Sequence, residues 1–226
     1  MTVPASTVQS QSSYGVAGRA AIASGAIGII AFGLLIAFLV KRISGGTEQI
    51  CIPIIRAHDV AAILQFVVMV PVVFALNDIA TRAANGRGRT PFLIGVVSIA
   101  LIVLCLALIF IKVVPDDMYM IPLGLFGVWL IGENRNLSSF LPRSLTRLGT
   151  VAGVGLVFIG IFPIAFTLFV DRAHLLGWTP FDYQPPPGTD MANGISHILL
   201  IVGTFTGLTT LPIWAALVGR RLLKAS

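Results

Sequence analysis

The residues of this chain least easily explained as packing are its histidines and one glutamine inside an apolar stretch. His58, Gln65 and Met69 recur at helical spacing, so a helix presents all three on one face. Gln65 falls near the middle of its stretch, where an amide side chain turns into a bundle and takes a partner. His197 lies near the start of another apolar stretch, at similar depth. Imidazoles from two helices with the Gln65 amide between them would form an outward-facing site for a small molecule or ion. A neutral imidazole can accept a proton or a hydrogen bond, or ligate a metal or haem iron. Trp178 and Tyr183 belong to a loop with Pro185-Pro186-Pro187 and could close over such a site as a lid. The plainer alternative makes each histidine, His174 included, a polar residue at a helix end facing water. Metal chemistry is poorly served, because no His-x3-His, Cys-x2-Cys or His-Glu-x2-His spacing occurs, and a cofactor stays unknown. Catalytic signatures such as Gly-x-Ser-x-Gly or a glycine-rich phosphate loop are also missing. The acids Asp116 and Asp117 read as solvated residues at a helix start, with Lys112 close enough to balance one of them.

The elements that must position these residues follow from composition. Mean hydropathy is +0.95, with 56% hydrophobic and only 11% charged residues. A soluble domain of this length needs a polar shell that such a chain cannot supply, so lipid is its main solvent. Six apolar stretches are expected to cross the bilayer, at 20–40, 58–76, 91–111, 115–132, 150–170 and 195–218. Each is close to the ~20 residues that span a ~30 Å hydrocarbon core. None alternates with period two, so they read as helices. The fold class is therefore an all-α polytopic membrane bundle. Residues 1–17 read as a disordered polar tail before a single domain at 18–226, with the first span as an uncleaved anchor.

Charge sets the orientation. Arg19, Arg82, Arg87, Arg89, Arg135, Arg143, Arg147, Arg220, Arg221 and Lys224 fall on the side of both termini. Lys41, Arg42, Arg56, Lys112 and Arg172 fall on the other, so both termini are expected in the cytoplasm. Around the first helix alone Lys41 and Arg42 outweigh Arg19, which favours the reverse, and the whole-chain excess overrides it. The same excess accounts for the pI near 10.0 without nucleic acid. Arg82, Arg87 and Arg89 flank an Asn85-Gly86 turn and could hold anionic lipid headgroups, although topology explains them as well. Cys51 and Cys105 fall at different depths and are not expected to pair.

Smaller features concern packing. Residues 41–57 read as an outer loop whose Ile50–Ile55 part lies on the membrane surface. Pro71, Pro163 and Pro212 each remove one backbone donor from a helix. Gly203 and Gly207 bracket a small-residue face suited to close helix approach. Phe66, Pro71, Phe74 and Leu76 recur in spacing as Phe158, Pro163, Phe166 and Leu168, a faint echo of an inverted repeat.

One longer pattern runs from Gly124-Leu125-Phe126-Gly127-Val128-Trp129 through Phe140-Leu141-Pro142-Arg143-Ser144-Leu145 to Leu148-Gly149-Thr150-Val151-Ala152-Gly153-Val154-Gly155. It resembles a family of uncharacterised prokaryotic six-helix membrane proteins, a domain of unknown function. The resemblance covers 124–155 and implies the six-helix layout and a prokaryotic cytoplasmic membrane; it supplies no activity or site residues. Three functional readings stay open. The first is binding or transport of a small molecule or ion through the outward pocket. The second is an accessory subunit packed on a membrane-protein partner or on its own copies, and the third is a lipid-modifying or redox enzyme.

Overall fold

The computed structural model describes residues 5–83, 89–176 and 183–226, and all regular structure among them is helical. The helices are α1 (Ala5–Ile43), α2 (Glu48–Ala83), α3 (Arg89–Phe110), α4 (Met120–Asn136), α5 (Arg143–Phe169), α6 (Asp190–Gly203) and α7 (Thr209–Ala225). A π-turn at Thr204–Leu208 joins α6 and α7 into one continuous rod, so the described residues form six rods. Each rod packs on its neighbours in sequence, and α7 returns to α1. The six therefore close into a ring, with α2 also touching α4 across it.

Five of the rods are long and apolar enough to cross a membrane: α1 from Tyr14, α2, α3, α5 and α6–α7. The fourth, α4, has 17 residues, about 25 Å of helix, short of a ~30 Å core. It starts at Met120, not at Pro115 as the apolar run suggests, because 111–119 form successive turns around Lys112, whose φ is +56°. Asp116 and Asp117 consequently sit before the helix, where other helices use them.

Two segments expected to be irregular are helical. The expected tail at 1–17 differs over 5–17, which extends α1: once the apolar rod supplies a nucleus, each added residue gains a hydrogen bond without a new nucleation cost. Tyr14 anchors this end by donating to Asp78 Oδ2 of α2 at 2.6 Å. The expected loop at 41–57 shrinks to a turn around Gly45, whose φ of +77° suits glycine. Helix α2 then begins at Glu48, whose charge favours a helix N-terminus. His58 thus lies nearly three turns inside α2 rather than opening it. The Ile50–Ile55 segment is helix, with Cys51 buried against the turn.

Glycine permits the closest approaches. A Cβ on Gly124 of α4 would lie 2.8 Å from Gly160 Cα of α5, so these two backbones touch directly. Gly203 and Gly207 meet α5 in the same way, at Gly155 and Ile159. The π-turn between them precedes Pro212, which cannot donate back to its helix. The hydroxyls of Thr209 and Thr210 donate to the carbonyls of Phe205 and Thr206, and Thr206 donates to Val202 O at 2.6 Å. The proposed repeat finds little support in packing: Phe74 is exposed where its counterpart Phe166 is buried, and Leu76 is buried where its counterpart Leu168 is exposed.

Candidate functional site

A narrow cavity lies within the ring, between α1, α2, the start of α4 and the π-turn. Its lining is mostly apolar and small, including Gly28, Ala31, Ala62, Leu123, Leu208 and Leu211, with ring surface from Phe32 and Phe66. Three polar side chains converge on it: His58, Gln65 and Tyr119. The space open to the centre of a water molecule is about 20 Å³, room for roughly one water. A drug-sized solute does not fit the cavity as it stands.

Each polar group is placed by a helix–helix contact. The His58 ring is 4% exposed, and its Nδ1 lies 2.8 Å from the Ala31 carbonyl of α1. A carbonyl only accepts, so Nδ1 carries the hydrogen and Nε2 of the neutral ring offers a lone pair. Ser24 of α1 donates to the backbone carbonyl of Gln65 at 3.1 Å, pinning α2 at that level. The Gln65 amide passes over Gly28, where a Cβ would lie 2.7 Å from its Nε2. The Gln65 residue is 6% exposed, and its amide reaches the cavity beside His58. Tyr119 enters from the turn before α4, and Asp59, Asp116 and Asp117 all lie within electrostatic range of its hydroxyl.

His58 and Gln65 therefore share one cavity, as their spacing predicts. His197 does not join them. It is exposed on α6, its Nδ1 donating to Asn193 O of its own helix at 2.9 Å. Its ring packs against Phe162 and Phe166 of α5 instead. Sequence depth alone cannot reveal this, because it leaves helix rotation and ring order open. Tyr183 lies with that second cluster and not over the cavity: its ring meets Phe166 and His174. Its hydroxyl donates to Asp171 Oδ2 at 2.8 Å. Trp178 lies outside the described residues.

The second cluster ties the outer loop to the bundle. His174 packs against Phe166 with the rings tilted and contacts the Asp117 carboxylate of the α3–α4 turn. Hydrogen bonds from the Ala173 amide and the Tyr183 hydroxyl hold the Asp171 carboxyl below its usual range. Burial and the bond to Asp171 push the Tyr183 phenol up to about 12. Beside the cavity, Arg56 bridges Asp59 at 3.3 Å and Asp116 at 3.7 Å and lies over the Phe110 ring.

On the opposite end, the expected headgroup arginines divide. Arg82 is engaged within α2, at 2.9 Å from Asp78 Oδ2. Arg87 and the side chain of Arg89 lie outside the described part of the structure. Sequence reading missed a buried polar group at this end. Trp214 Nε1 donates to Asn134 Oδ1 at 3.1 Å, both residues being fully buried against Gly149. Glu133 beside it is 1% exposed. Its position at the expected helix exit disguised it as a solvated charge.

Among the described residues no cluster of three or more His, Cys, Asp or Glu side chains is placed to hold a metal ion. Cys51 and Cys105 are free. Compared with family models, curated proteins and solved structures, the chain matches none.

Proposed function

We propose that this chain is a six-span integral protein of a prokaryotic cytoplasmic membrane, both termini cytoplasmic, that binds or moves a small solute or ion through an outward-opening cavity. The observation that carries the reading is the convergence of His58, Gln65 and Tyr119 inside an otherwise apolar ring. Polar groups set in apolar surroundings keep hydrogen-bonding capacity that a bound solute or water can use. The arginine asymmetry and the five long apolar rods support the membrane setting. The sixth span requires α4 to cross with the turns at 111–119 and 137–142 inside the headgroup layers.

The test is thermal unfolding of detergent-purified protein against a panel of small solutes and inorganic ions, with His58→Ala and Gln65→Leu alongside. A ligand that binds only the folded state raises the midpoint. The reading expects a stabilising solute whose effect both variants lose. Variants that respond as wild type does would sink it. Reporter fusions at each terminus test the orientation, and an active periplasmic reporter at either end would overturn it.

A second reading, the accessory subunit, draws on α1. Only 22% of its most apolar window is buried within the chain, against 56% for α2. Lipid satisfies such a face, and so would a partner helix. Stoichiometric co-purification of another membrane protein in mild detergent favours this reading; a clean monomer or homodimer counts against it.

A further inference from the structure

Building on that cavity reading, we propose that the site takes a small donor-bearing monocation, the ammonium ion. Size sets the first limit. About 20 Å³ for a water-sized centre admits a species no larger than a water molecule. Ammonium meets this limit, and alkylated amines do not.

The polarity of the lining sets the second. His58 has committed Nδ1–H to Ala31, so the free hydrogen-bonding atom of this cavity-lining ring is Nε2, an acceptor. The Gln65 amide and the Tyr119 hydroxyl each bring an acceptor oxygen as well as a donor, and the amide turns about its terminal torsion to present either. A ligand made only of N–H donors satisfies all three once the Gln65 oxygen is turned toward it. Ring surface of Phe32 and Phe66 completes the lining, and aromatic surface tolerates a compact cation. Among the described residues no cationic side chain lines the cavity; beside it Arg56 is held by two carboxylates, Asp59 and Asp116, and Asp59 lies close enough to Tyr119 to act on it.

Alternatives fit less well. Hard cations seek oxygen and gain little from an imidazole nitrogen. A transition metal needs several nitrogen, sulfur or carboxylate ligands, and the lining supplies one imidazole. An anion would face the His58 nitrogen lone pair and find no cationic side chain in the described lining. Water fits by size and is the state that ammonium must displace.

The experiment measures the unfolding midpoint of purified full-length protein in ammonium chloride, potassium chloride and methylammonium chloride at equal concentration. Ammonium is expected to stabilise beyond the common effect of chloride salts, and methylammonium is not. Gln65→Leu and His58→Ala each remove a hydrogen bond to a charged ligand, so apparent affinity should fall about tenfold or more. Phe32→Leu removes only ring surface and should weaken binding less, which keeps the test valid if His58→Ala fails to fold. Equal stabilisation by potassium overturns the ammonium assignment while leaving the cavity as an ion site. Stabilisation by another solute but not by ammonium overturns it in the same way. No response to any solute, with all variants behaving as wild type, overturns the cavity reading as well.

Discussion

Replacing Gly155 by alanine probes the contact that shapes one wall of the cavity. An added Cβ would lie 2.3 Å from Gly207 N, 2.5 Å from Thr206 Oγ1 and 2.6 Å from Gly207 Cα. Ordinary contact begins near 3.4 Å, so α5 and the π-turn must separate by about 1 Å. Two of the three obstructing atoms are backbone and cannot rotate away. Overpacking of this kind costs about 1–3 kcal/mol, and a backbone obstacle favours the upper end. Alanine returns about 1 kcal/mol through its better helix propensity. The net expectation is a loss of about 1–2 kcal/mol, a factor of roughly 5–30 in the folding equilibrium. Gly33→Ala supplies the control, because nothing lies within 4 Å of its Cβ position. There only the propensity gain operates, so stability should hold or rise. Denaturant titration of both variants in mixed micelles measures the difference. If Gly155→Ala proves as stable as Gly33→Ala, α5 and the π-turn do not meet backbone to backbone. The cavity wall would then have to be redrawn.

Other expectations follow from the same reasoning. Asn134→Leu leaves the buried Trp214 N–H without its acceptor and should cost about 1–3 kcal/mol; adding Trp214→Phe should recover part of the loss, and additive losses would deny the bond. Asp171 has a depressed folded pKa, so its contribution is full above the ordinary carboxylate value near 3.8 and fades as pH falls through the folded value. The midpoint difference between wild type and Asp171→Asn should therefore be present at neutral pH and vanish in acid; a constant difference would place the effect elsewhere. Gly28→Ala would set a Cβ 2.7 Å from Gln65 Nε2 and from Pro212 Cγ. It should block solute stabilisation while His58 and Gln65 are still present, and an unchanged response would remove α1 from the cavity wall.

Much of this protein is written in its composition and spacing. Apolar stretches without period-two alternation dictate helices whatever surrounds them, because lipid leaves the backbone no other partner. The His58–Gln65 spacing likewise puts two polar groups on one helical face. Tertiary structure decided which faces meet. Helix rotation is free until neighbours pack, so nothing in the chain order separates His197, turned onto Phe162 and Phe166, from His58, turned onto Ala31. Tyr119 enters the cavity only because the turns at 111–119 delay the start of α4. Local sequence undervalued those turns because the run is apolar. The Asn134–Trp214 bond spans helices far apart in sequence, and closing the ring from α7 back to α1 is what brings such partners together. Sequence thus set the solvent, the elements and the polar candidates, and close packing through Gly124, Gly155 and Gly160 chose among them.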